Sequence, residues 1–144
     1  MIKLPERCVI DASVGIKLFL DEEHSAQVQA MLESRVADPD DKLLVPDLFF
    51  IECANVLWKR VRRWEYPEEM ARRNLSDLRR LALYATPTRD LAERALEIAC
   101  SHGITTYDAC YVALSEVARA PLFTADVRLR DRLANQFNVL LLGE

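Results

Sequence analysis

Cys8-Val9-Ile10-Asp11-Ala12-Ser13-Val14 is a run that ends on a carboxylate and turns. Its apolar start, with two β-branched residues, reads as a short buried strand. Asp11 stops the run, Ser13 stands as an N-cap, and residues 14–20 open a helix behind it. An acid in that position sits at the carboxyl edge of an α/β sheet, the crevice in which open parallel sheets bind their ligands. Asp is also a favoured cap, so capping the helix is an equally good role for Asp11 when it is taken alone.

Outward from that stretch the same alternation repeats. After Asp21-Glu22-Glu23 a helix is expected over 24–36, then a loop at Asp38-Pro39-Asp40-Asp41. Leu43-Leu44-Val45 reads as a second strand, closed by Pro46. Asp47 is placed as the cap of a helix running to about Trp64. The first half of that helix, residues 48–58, is apolar nearly all round and is expected to be largely buried. Pro67, at the favoured first position, starts a helix reaching about Leu81. Residues 83–86 form a third candidate strand, and an amphipathic helix over 89–101 ends at Gly103. Thr105 or Thr106 caps a helix over 107–119. Leu122-Phe123-Thr124 is a fourth strand with Asp126 just past it, and residues 127–136 and 139–142 close the chain as helix and strand. Such alternation predicts a mostly parallel sheet with helices on both faces.

At 144 residues, 51% apolar and 29% charged, the chain has enough material for one domain, residues 1–144, and is too apolar to be disordered. The longest apolar run, 48–58, is too short to span a bilayer, and residues 1–7 hold no apolar signal segment. A cytoplasmic protein with no membrane contact is expected. Cys8, Cys53, Cys100 and Cys110 show no CxxC spacing and sit in apolar contexts, so four buried free thiols are expected. Two histidines, His24 and His102, leave little room for a histidine metal site. The absence of GxSxG, GxxxxGK[ST] and GxGxxG argues against a hydrolase elbow and against nucleotide cradles. Between Leu57 and Arg80 eight basic residues outnumber four acidic ones in a chain of net charge −4. That stretch is either a solvated outer helix face, the commoner case, or a surface that steers a polyanion.

Three further acids look out of place. Glu52 sits among nine apolar residues in the eleven of 48–58. Asp108 interrupts Tyr107-Asp108-Ala109-Cys110-Tyr111-Val112-Ala113-Leu114. Asp126 repeats the strand-then-acid arrangement of Asp11. A buried carboxylate is costly unless it is compensated, and a paired arginine, a helix dipole or a cap could each account for one of them. All four, however, fall near the carboxyl edge of the same sheet. Converging carboxylates repel one another, and a hard divalent cation with oxygen ligands is their natural partner.

These stretches resemble a PIN domain, and specifically the toxin ribonucleases of VapBC-type toxin–antitoxin pairs. The matching segments are Val9-Ile10-Asp11-Ala12-Ser13-Val14, Pro46-Asp47-Leu48 with Glu52-Cys53-Ala54-Asn55-Val56-Leu57, Tyr107-Asp108-Ala109-Cys110-Tyr111 and Leu122-Phe123-Thr124-Ala125-Asp126. Their order and spacing carry the likeness over nearly the whole chain. The resemblance implies a three-layer α/β/α sandwich with a five-stranded parallel sheet and a Mg²⁺- or Mn²⁺-dependent site. Asp11, Glu52, Asp108 and Asp126 fall on the family's four acidic positions, as catalytic and metal-binding residues. Ser13 and Thr124 fall on its hydroxyl positions near the metal. Asn55 matches a common residue and reads better as a structural hydrogen-bonder, and Asp131, a candidate extra acid, reads better as an exposed helix residue.

The function so implied is an endoribonuclease that hydrolyses RNA to 5′-phosphate and 3′-hydroxyl ends, with a cognate antitoxin and a homodimer as assemblies. Lys59, Arg60, Arg62, Arg63, Arg72 and Arg73, and further along Arg79 and Arg80, are candidates for salt-sensitive contacts to the RNA backbone. The alternative is a PIN-like module that binds RNA or protein without cutting it. Such a module could lose an acid without penalty, and this chain has all four. A phosphoacceptor receiver domain shares the alternation, but Asp11 is followed by Ala12 and no lysine occurs after Lys59.

Overall fold

The computed structural model describes residues 7–37 and 42–144. The loop expected at 38–41 lies outside them, as does the lead up to Glu6. Five strands, β1 (Arg7–Ile10), β2 (Lys42–Pro46), β3 (Leu83–Thr86), β4 (Leu122–Thr124) and β5 (Val139–Leu141), form one parallel sheet in the order β3-β2-β1-β4-β5. Between them run α1 (Ala12–Gly15), α2 (Ser25–Ala37), α3 (Leu48–Trp64), α4 (Glu68–Arg79), α5 (Ala92–His102), α6 (Thr106–Ala118) and α7 (Val127–Leu133). Central strands of a doubly covered sheet must be apolar on both faces. Accordingly Cys8, Val9, Val45 and Leu122 are fully buried, whereas Tyr84 and Ala85 of the edge strand β3 are exposed.

Right-handed crossovers place α1 to α4 on one face of the sheet and α5 to α7 on the other. Packing agrees: α1 lies on α3, α3 on β2, and α6 across β1, β2 and β4. Gly15 makes the first of these contacts, since a Cβ there would come within 2.5 Å of the Phe49 ring. Among the described residues no helix is long and apolar enough to cross a membrane.

Several local expectations need correction. The helix after β1 is only four residues long and passes into a 3₁₀ turn, Ile16–Leu18. Its cap is Asp11, not Ser13: the Val14 N–H donates to Asp11 Oδ1 at 3.1 Å. Ser13 turns its hydroxyl to the Asp11 carboxylate instead. Helix α3 is not buried all round. Only Phe49, Cys53 and Leu57 are buried, one stripe at i, i+4 and i+8, while Ile51 and Trp58 are 70% and 54% exposed. The side chain of Asp47 does not cap α3; it accepts the Thr88 N–H at 2.9 Å and ties the end of β2 to the segment after β3. Pro67 precedes α4 as its N-cap residue. All four cysteines are free, but Cys100 is exposed on the outer side of α5.

Candidate active site

The chain leaves β1 toward β2 and β3 on one side, then returns from β3 to β4 on the other side of β1. The connections after β1 and β4 therefore run to opposite faces and open a crevice between these two neighbouring strands. Asp11 is the first residue after β1, and Asp126 the second after β4. Ser13 joins the two sides: its hydroxyl donates to Asp11 Oδ1 at 2.5 Å and accepts the Ala125 N–H at 3.0 Å. Thr124, fully buried, hydrogen-bonds Asp11 through its side chain and accepts the Asp126 N–H at 3.1 Å. Asp126 Oδ1 in turn caps α7 by accepting the Leu129 N–H at 3.1 Å. The two hydroxyls thus fix the two strand-end acids relative to each other.

Glu52 and Asp108 enter from helices that start at the same edge. Asp108 lies in the first turn of α6, where its N–H is capped by Thr105 Oγ1 at 3.1 Å. Tyr111 lies three residues on, on the same helix face, and is 1% exposed. Its hydroxyl donates to Glu52 Oε1 at 2.5 Å, which holds α3 to α6 at this point. Asp108 and Asp126 line one cleft of about 220 Å³ with Thr105, Leu129, Arg128 and Arg132. Asp11 and Glu52 do not line that cleft, but both feel the charge of Asp108.

The electrostatics are those of acids held against their preference. Burial lifts the Asp11 carboxyl to about 6, against the pull of hydrogen bonds from Ser13, Thr124 and Val14, and Asp108 adds repulsion. Burial also raises Glu52 and Asp108, the first further repelled by Asp108 and the second by Asp126. Asp108 is therefore the acid that couples to each of the other three. Among the described residues no lysine or arginine forms an ion pair with any of the four.

A divalent cation fits this donor chemistry, since the site offers hard oxygen donors and uncompensated negative charge. Among the described residues, however, no three acids, histidines or cysteines are close enough to grip one ion together. An ion here would be held directly by one or two carboxylates, with its own waters reaching the rest, which is the habit of Mg²⁺.

The remaining candidates are scattered. Asn55 is exposed, and its side chain makes no hydrogen bond among the described residues. Asp131 is exposed and receives the Arg130 Nε–H at 2.7 Å, so it is no extra site acid. Arg60 pairs with Glu22 at 3.0 Å and Arg73 with Glu69 at 3.9 Å, while Arg62 stacks on Trp58. Lys59, Arg63 and Arg72 are exposed. Sequence reasoning passed over Tyr111, whose apolar neighbours disguise it as core. Its spacing of three from Asp108 was the available signal.

The PIN domain family model matches residues 8–133 of this chain. The chain belongs to the PIN-domain family. Ribonuclease VapC3 of Pyrobaculum aerophilum is 34% identical over 128 residues, which cover 88% of this PIN domain and 94% of that protein. Among solved structures, the Mycobacterium tuberculosis toxin VapC20, described as cleaving the sarcin-ricin loop, superposes with a TM-score of 0.67 at 15% identity. The alignment covers 90% of this chain and 95% of that one. A toxin–antitoxin complex from Klebsiella pneumoniae gives 0.63 at 17% identity, covering 92% and 95%. At such identities the two structures speak for the fold alone.

Proposed function

We propose that this PIN domain is a Mg²⁺- or Mn²⁺-dependent endoribonuclease, the toxin of a VapBC-type toxin–antitoxin pair. The observation that carries the reading is the charge coupling of Asp108 to Asp11, Glu52 and Asp126, with no cationic side chain among the described residues paired to relieve it. The 34% identity to a protein named as a ribonuclease supports the choice of RNA.

In this reading each residue has a distinct task. Asp11, oriented by Ser13, Val14 and Thr124, and Asp108 at the head of α6 supply the direct ligands. Glu52 keeps one oxygen on the Tyr111 hydroxyl and has the other free to accept from water. Asp126 holds one oxygen on the α7 cap and lines the cleft. A divalent ion, when bound, would activate a water and stabilise charge on the phosphate and on the departing 3′ oxygen. Products would carry 5′-phosphate and 3′-hydroxyl ends.

An antitoxin and a second copy of the chain are the proposed partners. Ile51 and Trp58, seven residues apart on one face of α3 and both exposed, support a partner surface there. The test is cleavage of total RNA by purified protein with Mn²⁺, followed by mapping of the ends. Cleavage that stops with chelation and in Asp11→Asn is expected. Cleavage that survives both would overturn the reading and favour a contaminating nuclease on a PIN-like binding module.

A further inference from the structure

We propose that Arg128 and Arg132 grip a backbone phosphate of the bound RNA beside the acidic centre. This rests on the ribonuclease reading and names the substrate contact of the same site. The two arginines are four residues apart on α7, so they share one helix face, and both line the cleft that holds Asp108 and Asp126.

They combine that place in the cleft with a charge that is unspent. Arg130, between them in sequence and turned away from the cleft, is tied up by Asp131 and Glu144. Arg94 on α5 is clamped by Glu97 and Glu116. Arg128, only two residues from Asp126, has neither an ion pair nor a hydrogen bond among the described residues. Arg132 donates one N–H to the Gly103 carbonyl at 2.8 Å. That carbonyl belongs to the glycine in left-handed conformation (φ 65°) that ends α5. The bond aims the guanidinium without neutralising it and leaves four of its five N–H donors for a ligand. A guanidinium fork matches phosphate oxygens better than an ammonium does.

Acids and unpaired arginines lining one cleft match a ligand that is itself an anion accompanied by a cation. A phosphodiester carried on a divalent ion is such a ligand. Three of the basic residues that the sequence suggested are worse placed. Arg62 is ten residues beyond Glu52, about 15 Å along α3, and Arg60 and Arg73 already have acidic partners.

The test uses the full chain carrying Asp11→Asn, so that RNA is bound and not cut, and reads oligoribonucleotide affinity by fluorescence anisotropy across a range of salt. Losing the neutralisation of one phosphate should reduce the slope of log affinity against log salt by about 0.7 on single-stranded RNA. Arg128→Ala and Arg132→Ala should each give part of that reduction, and the double variant, which releases the phosphate they share, all of it. Arg128→Lys and Arg132→Lys should restore most of the slope, which a folding defect would not allow. With Asp11 intact, the arginine variants should keep the wild-type Mn²⁺ affinity by calorimetry. Inorganic phosphate at the oligonucleotide's own concentration should displace none of it; equal competition would make this a free-phosphate site and overturn the proposal. An unchanged slope in the arginine variants, with a reduced one in Arg62→Ala or Arg63→Ala, would overturn it while leaving the ribonuclease reading intact. Wild-type protein that neither binds nor cuts RNA would take both down.

Discussion

Replacing Asp11 by Asn should stabilise the metal-free protein while abolishing its activity. Burial lifts the Asp11 carboxyl from 3.8 to about 6 in the fold. The folded protein therefore holds this proton more tightly than the unfolded chain does. As pH rises from about 4 to about 6 the folded state must surrender a proton that the unfolded chain has already lost, and stability falls. Above about 6 the ionised carboxylate costs its full amount, about 3 kcal/mol for that interval. Asn keeps the side-chain oxygen that accepts from Ser13 and Val14 and removes the charge. Its unpaired amide N–H₂ gives back about 1–2 kcal/mol. The net gain at pH 8 in EDTA is thus about 1–2 kcal/mol, or roughly 2–8 °C in Tm for a domain of this size. Near pH 4 the gain should vanish and the variant should become the less stable protein. Urea unfolding of both proteins in EDTA from about pH 4 to pH 8 measures the difference, in which most other titrating groups cancel. A variant less stable than wild type at pH 8, or a difference that does not move with pH, would refute the reasoning.

Three other outcomes follow from single contacts. Tyr111→Phe deletes the hydroxyl that holds Glu52; Mn²⁺ affinity by calorimetry should fall about tenfold or more, and an unchanged affinity would place Glu52 outside the centre. Gly15→Ala drives a Cβ to 2.5 Å from the fully buried Phe49 ring, so the ring or the backbone of α1 must shift. Urea unfolding should show a loss of about 1–3 kcal/mol, and an unmoved midpoint would contradict the packing of α1 on α3. In the native protein a thiol reagent should label Cys100 quickly and Cys8, Cys53 and Cys110 only on unfolding, since burial pushes the Cys53 thiol to about 12 and Cys110 to about 11. Rapid labelling of more than one thiol in the folded state would contradict that burial.

Much of the architecture was legible because strands and helices announce themselves locally. Leu122-Phe123-Thr124 forms β4 with the expected bounds, and Thr105 and Gly103 bracket the α5–α6 turn as cap chemistry requires. The acids at strand ends were legible for the same reason. What failed depends on tertiary neighbours. The apolar run of α3 says that many side chains avoid water, not which stripe meets the sheet, so Ile51 and Trp58 were misjudged. Asp11 against Ser13 as cap turned on Ala125, more than a hundred residues away, which claims the Ser13 hydroxyl. Cys100 reads as apolar in sequence and lies on the outer side of α5. Arg128 and Arg132 are indistinguishable in sequence from Arg130, and only the cleft separates them.

The central claim, that Asp11, Glu52, Asp108 and Asp126 serve one divalent ion, is tested most directly by paramagnetic broadening. Substoichiometric Mn²⁺ is added to ¹⁵N-labelled protein and amide signals are followed by NMR. Signals of residues 11–13, 52–53, 107–109 and 124–127 should fade together at the lowest additions, while those of 59–63 persist. Fading confined to another acidic stretch, such as 21–23, or to only one of those four segments, would contradict it.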